Sequence, residues 1–153
     1  MNNKLIIIPF EPEHLDNIDY RIFDKDSISR WPDILKYINQ LPSFGPCYTG
    51  LINDEIIGAG GLIILWPGVA EAWLLTGNLT NKFSLSFHKT ITKGLRLLID
   101  SMGLHRVQAV VYQYNDIAIK WIERLGFVCE GLMEGYGPDQ SNFWRYALIK
   151  RRL

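Results

Sequence analysis

A chain of 153 residues with 48% hydrophobic content has the size of one domain, spanning 1–153, and enough apolar surface to bury a sheet under helices. Its 16 basic and 16 acidic residues cancel, so composition gives no electrostatic reason to expect nucleic acid or a membrane surface as the main partner, and the dense positive run Lys150-Arg151-Arg152 reads as solvation of a strand end. Cys47 and Cys129 are too few for a disulfide framework and lack metal-ligand spacing; both read as small core residues in a reducing, cytoplasmic setting, with no metal expected.

The opening MNNKLIIIPFEPEHL has a short apolar run, then acidic residues, which argues against export, and no apolar stretch approaches the ~20 residues that span a bilayer. A soluble protein is expected. Lys4 to Phe10 reads as a strand, and Pro12-Glu13 starts a helix with Leu15, Ile18, Ile22 and Tyr20 turned inward. A second helical region runs from Ser27 through Trp31, Ile34, Leu35 and Ile38, with Pro32 tolerated in its first turn, until Leu41-Pro42 breaks it. Pro46 to Ile52 and Glu55 to Leu65 flank Asn53-Asp54, the residue pair of a tight antiparallel hairpin. Pro67-Gly68 then turns into a strand from Val69 to Thr76.

Beyond Thr76 the texture becomes small and polar, and a helix follows in which Phe87, Ile91, Leu95, Leu98 and Met102 recur at helical spacing. Gly103 ends it. Val107 to Tyr112 is apolar enough on both faces to be a central strand. Asn115 or Asp116 caps the next helix, whose apolar face carries Ile117, Ala118, Trp121, Ile122 and Leu125, and Gly126 supplies a left-handed end. Phe127 to Glu134 and Asn142 to Lys150 close the chain as two strands around a Gly137-Pro138-Asp139 loop. A meander, a βαβ crossover and a final antiparallel pair make an α/β (α+β) protein with a mixed central sheet covered by helices on both faces.

This order, with the Asn115-x-x-Ala118 helix ending in Leu125-Gly126-Phe127 and the following Glu130-Gly131, resembles the GNAT superfamily of acyl-CoA-dependent N-acetyltransferases over nearly the whole chain. It is most similar to the branch that acetylates ribosomal-protein N-termini and antibiotics, in which this helix lacks the usual tyrosine; Ile122 stands at that position. The long polar loop also resembles GNAT-like proteins of tailed phages, some of them virion components. The resemblance implies a mostly antiparallel sheet, acetyl-CoA as co-substrate, and acetyl transfer to a primary amine on a small molecule, a protein N-terminus or a lysine, by a monomer or homodimer. A catalytically inactive, phage-like structural or interaction protein is the alternative.

In the family, an Arg/Gln-x-x-Gly-x-Gly/Ala motif offers helix N-terminal N–H groups to the CoA pyrophosphate, where the helix dipole favours negative charge. Here the motif falls on Phe83 to His88 and both glycines are missing, with Ser86 and His88 in their places. Either Ser84, Ser86 and the backbone of Phe87 still cradle the phosphates, with Lys82, His88 or Lys89 adding charge, or a serine merely caps the helix. By the same resemblance, backbone groups near Leu74, Leu75 and Thr76 pair with pantetheine, and Asn115 meets the cofactor or simply caps its helix. Transfer requires a neutral amine, an oxyanion donor and an acid for the thiolate. Glu71 stands where the family places a carboxylate base, although an edge salt bridge is its other fate. Tyr112 and Tyr114 are candidate acids or packing residues. Trp66, Tyr136 and Trp144 are candidates to shape an acceptor pocket or to fill core, and His14 and His105 read as structural.

Overall fold

The computed structural model describes residues 4–31 and 33–153, apart from the side chains of Phe23 and Ser27. Seven strands, β1 Ile6–Pro9, β2 Cys47–Ile52, β3 Glu55–Trp66, β4 Val69–Thr76, β5 Arg106–Tyr112, β6 Val128–Met133 and β7 Phe143–Ile149, form one sheet in the order β1-β2-β3-β4-β5-β7-β6. The helices are α1 Ile22–Arg30, α2 Ile34–Ile38, α3 Ser84–Ser101 and α4 Asp116–Arg124. The mixed, mostly antiparallel sheet expected from the order of elements is therefore present. Its contacts group into two units, Met1–Ile63 with Trp73–Lys93 and Ile64–Ala72 with Gly94–Leu153.

In the first unit, β1 pairs antiparallel with β2 and β2 with β3. Asn53 and Asp54 join β2 to β3 with φ of 51° and 64°, the positive pair that a two-residue turn matched to strand twist demands. β3 carries glycines for a steric reason: a Cβ on Gly58 would lie 2.7 Å from the Leu75 carbonyl oxygen, and one on Gly60 2.8 Å from that of Trp73. The core gathers Phe10, Leu15, Ile18, Leu41 and Leu75, with the Phe10 and Trp73 rings meeting edge-on at 5.6 Å.

Two helical expectations change here. The segment after Pro12 is a short 3-10 helix, Pro12–Asn17, that buries Leu15 and leaves Ile22 to open α1 with 76% of its surface exposed. The second expected helix is two, because α1 ends at Arg30 and α2 starts at Ile34; Pro32 lies outside the described residues.

In the second unit, β4 and β5 run parallel over Val69–Glu71 against Arg106–Gln108, and β5 pairs antiparallel with β7 along its full length. Val107, Ala109 and Val111 are buried on one face of β5, whereas Arg106 and Gln108 put a polar strip on the other. α4 is capped as expected: the Asn115 side chain accepts from Ala118 N–H at 3.1 Å, and Gly126 at φ 99° lets Phe127 N–H turn back to the Ile122 carbonyl. Ile122 and Leu125 are buried, but Ile117 is 55% exposed, since five residues before Ile122 lie well over a third of a turn from its direction. In α3 the buried residue near the C-terminus is Ile99; Met102 lies past the helix end and is exposed. Cys129 is exposed on the outermost strand β6 and so is not the core residue expected, whereas Cys47 is half-buried and packs against the core cluster. Among the described residues no helix is long and apolar enough to cross a membrane, and no group of His, Cys, Asp and Glu is arranged to hold a metal ion.

Candidate active site

α3 opens onto a depression of ≈ 300 Å³ lined by Lys82, Phe83, Ser84, Leu85, Ser86 and Lys89. The first α-helical bond runs from Phe87 N–H to the Phe83 carbonyl at 2.9 Å. The N–H groups of Ser84, Leu85 and Ser86 thus lie ahead of any α-helical acceptor. Among the described residues neither serine hydroxyl is bonded to protein, so neither acts as the capping acceptor. The two lysine ammonium groups add to the positive end of the helix dipole, and the depression suits an oxyanion with several oxygens. Phe87 and His88 do not line it. Phe87 turns inward with 8% of its surface exposed, and the Nδ1 atom of His88 is buried without a partner among the described residues.

The end of β4 is in a different state. Gly77 N–H donates to the Ile57 carbonyl of β3 at 2.7 Å, so its neighbours Thr76 and Asn78 direct their N–H groups to the opposite side. There they meet the segment that leads into α1. Thr76 donates from both its N–H (3.0 Å) and its hydroxyl (2.9 Å) to Asp24 Oδ2, and its carbonyl accepts from Arg21 N–H at 3.1 Å. Asn78 N–H donates to the Asp19 carbonyl at 2.7 Å, Tyr20 bridges Gly77 in antiparallel fashion, and the Arg21 guanidinium donates to Asn81. Burial raises the Asp24 carboxyl above the ordinary carboxylate value in spite of the two Thr76 bonds and the Arg21 charge. Burial, with Asp16 and Asp24 close by, pushes Tyr20 up to about 12. Leu75 faces the core, and Leu74, two residues before Thr76, presents its backbone to the same side as Thr76.

In the second unit, Glu71 Oε2 accepts from Gln108 Nε2 at 2.9 Å and from Arg145 Nη1 at 3.0 Å. Of the two fates expected for Glu71, the ion pair is the one observed: Oε2 is tied into a partly buried pair with Arg145, and Oε1 keeps its lone pairs. The network extends through Gln108 to Arg106 Nε (2.9 Å), and Arg106 pairs in a two-point fork with Glu130, which holds the Glu130 carboxyl below its usual range. Gln108 and Arg145, which hold the Glu71 carboxylate, were not among the residues singled out from the sequence; Arg106 and Gln108 at alternate positions of an otherwise apolar β5 were the available signal for Gln108, and nothing local marked Arg145 on β7. Tyr112 packs edge-on to Tyr114 at 5.6 Å and against Phe143 at 5.7 Å, and Tyr136 reaches the same Phe143 ring at 5.3 Å. Tyr114 is 66% exposed and Trp66 also faces solvent, while Trp144 pairs with Val111 and so turns to the other face from Phe143. Ile122 is buried and carries no acid. His14 is structural, with Nδ1 bonded to Thr49 Oγ1 and to Glu11 N–H, and His105 packs over Gly68.

No known sequence family profile matches the chain, and no curated protein matches it in sequence. Solved structures do match. The spermidine N-acetyltransferase of Vibrio cholerae in complex with CoA and spermine superposes with a TM-score of 0.74 at 16% identity, covering 98% of each chain. A GNAT-family acetyltransferase from Bacillus anthracis gives 0.73 at 16% identity over 97% of this chain and 96% of that one. The ribosomal-protein-S5-alanine acetyltransferase of Vibrio fischeri gives 0.71 at 13% identity over 97% and 94%. The chain has the fold of the GNAT acetyltransferases.

Proposed function

We propose that this protein is a GNAT-superfamily N-acetyltransferase that uses acetyl-CoA to acetylate a primary amine, on a small molecule, a protein N-terminus or a lysine. The observation that carries the reading is the open mouth of α3, where the first-turn N–H groups of Ser84, Leu85 and Ser86 share a depression with Lys82 and Lys89. That is the donor set a CoA pyrophosphate needs, built without the family's glycines because serine hydroxyls are small and unbonded. Leu74 supplies the next backbone pair for the pantetheine arm, and Asn115 combines its capping bond with a place at the exit of β5. Exposed Cys129 and partly buried Cys47, both free thiols, suit a reducing cytoplasmic setting.

The reaction is direct attack in a ternary complex. Glu71 Oε1 removes a proton from the acceptor ammonium, directly or through a water, while Gln108 and Arg145 fix the carboxylate through Oε2. The neutral amine nitrogen bonds to the thioester carbonyl carbon, the C–S bond breaks, and the departing thiolate takes a proton from Tyr112 or Tyr114; the second proton shed by the new amide nitrogen restores that tyrosine through water, and the proton held by Glu71 passes to solvent. No covalent enzyme intermediate and no metal enters the scheme. The aromatic group of Tyr112, Tyr114, Phe143 and Tyr136 gives the acceptor's carbon chain an apolar surface.

A second reading, a GNAT-fold scaffold or virion interaction protein that does not use CoA, is favoured by one observation: the backbone of Thr76, which pantetheine would pair with, is already hydrogen-bonded to Asp24 and Arg21. Calorimetric titration with acetyl-CoA and CoA, together with thermal unfolding, separates the two. A ligand that binds only the folded chain raises its midpoint, whereas no heat and no shift at millimolar CoA ends the enzyme reading.

A further inference from the structure

We infer that residues Asp19 to Asp24 form an intramolecular strap on the end of β4, occupying the backbone groups that a pantetheine arm would use, so that the arm docks only when the strap lets go. The identity of the arm rests on the N-acetyltransferase reading; the strap itself does not. Its geometry imitates a ligand. Pantetheine is an extended chain with two amides, and it would add to the strand as a short antiparallel partner. The strap does this already: Tyr20 bridges Gly77, Arg21 N–H fills the Thr76 carbonyl, Asp24 Oδ2 takes the Thr76 N–H, and the Asp19 carbonyl takes the Asn78 N–H. Alternation along the strand places these groups on the side away from β3, the side an added strand must use.

The strap is also built to leave. It holds by hydrogen bonds that water or a ligand amide can replace, while Ile22 within it is exposed and the Lys25–Asp19 pair, at 3.9 Å, lies in solvent. Tyr20 anchors it from a half-buried position against the core cluster, with its hydroxyl donating to the Leu15 carbonyl at 2.7 Å. The Asp24 carboxylate gives up part of its hydration to reach Thr76, a cost that opening refunds. No residue of the strap is among those lining the depression at the α3 mouth, so a nucleotide end can bind before the arm does.

The test compares two ligands and two readouts. Adenosine 3′-phosphate 5′-diphosphate carries all the phosphate groups of CoA but no arm. In the unaltered protein CoA should bind no more than about threefold more tightly than this nucleotide, and in Asp24→Ala the preference for CoA should grow about tenfold, as expected for freeing two or three hydrogen-bonding groups. Amide hydrogen exchange at Thr76 and Asn78 should be slow in the unaltered chain and faster in the variant. Asn78→Ala, which removes the side-chain bonds to Asp19 and Tyr20 at 3.1 and 3.3 Å, should shift both readouts in the same direction if Asp24→Ala does not fold. A tenfold preference for CoA in the unaltered protein with both amides still protected, or an unmoved preference in a variant whose amides have become fast, overturns the inference. If neither ligand binds any variant, the enzyme reading falls, and exchange alone decides the strap: amides protected until Asp24 is removed support it, and amides already fast in the unaltered chain refute it.

Discussion

The mouth of α3 and the end of β4 are both places where the backbone offers N–H groups, and they differ in what those groups have found. At α3 the donors of Ser84 to Ser86 face a depression with two lysines and no capping hydroxyl. At β4 the donors of Thr76 and Asn78 are met by Asp24 and Asp19. Anion binding and strand addition need unclaimed groups, so under the proposed reading the two halves of the CoA site are unequal: one is ready and the other must be cleared. Glu71 is intermediate, with one carboxylate oxygen claimed by Gln108 and Arg145 and the other available.

The sharpest way to break the comparison is to close its open side. Ser86→Glu puts a bulky negative side chain where the pyrophosphate would sit, opposing both the helix dipole and the lysines, and should weaken CoA by about a hundredfold or more in calorimetry. Unchanged affinity would mean that the phosphate site is elsewhere. The half-claimed carboxylate comes next. Glu71→Gln keeps the shape and one acceptor oxygen but cannot take a proton, so kcat should fall at least about tenfold across neutral pH with KM little changed. Full turnover by that variant would remove Glu71 as base and leave it as the ion-pair partner of Arg145.

The sequence carried most of the fold because local chemistry sets it. The Asn53-Asp54 turn, the Val69–Thr76 strand, the Asn115 cap and the Gly126 exit depend on residues next to one another, and each is found where the pattern puts it. The helices before residue 40 were harder. Ile22 and Leu15 fit one apolar stripe on paper, but a 3-10 helix and a bridge at Tyr20 separate them. In the site, the loop at Ser84 to Lys89 was legible from its spacing to Gly103. What no local pattern could disclose is who claims a donor: Asp24 meets Thr76 across 52 residues and Arg145 meets Glu71 across 74. Occupancy of a backbone edge is a long-range property, and motif counting is blind to it.

The smallest effect tests the claimed side through pH. Folding holds the Asp24 carboxyl above its ordinary 3.8, chiefly by burial, so the folded chain binds that proton more tightly than the unfolded one does. The stability this contributes is complete below the unfolded value and is lost as pH rises through the folded value. The groups that face Asp24 are the Thr76 N–H and hydroxyl and the Arg21 charge, and Tyr20, at about 12, stays neutral throughout. Urea unfolding from about pH 3 to pH 7 should therefore show an acid-side contribution that fades upward and is missing in Asp24→Asn. That variant retains an oxygen for Thr76, so its amide at position 76 should stay protected, unlike the one in Asp24→Ala. An asparagine variant with the unaltered slope would assign the titration to another carboxylate. One that frees the Thr76 amide would show that the strap depends on the charge of Asp24 rather than on an acceptor in that position, and the β4 end would then open and close with protonation in the opposite sense to a simple hydrogen-bonded latch.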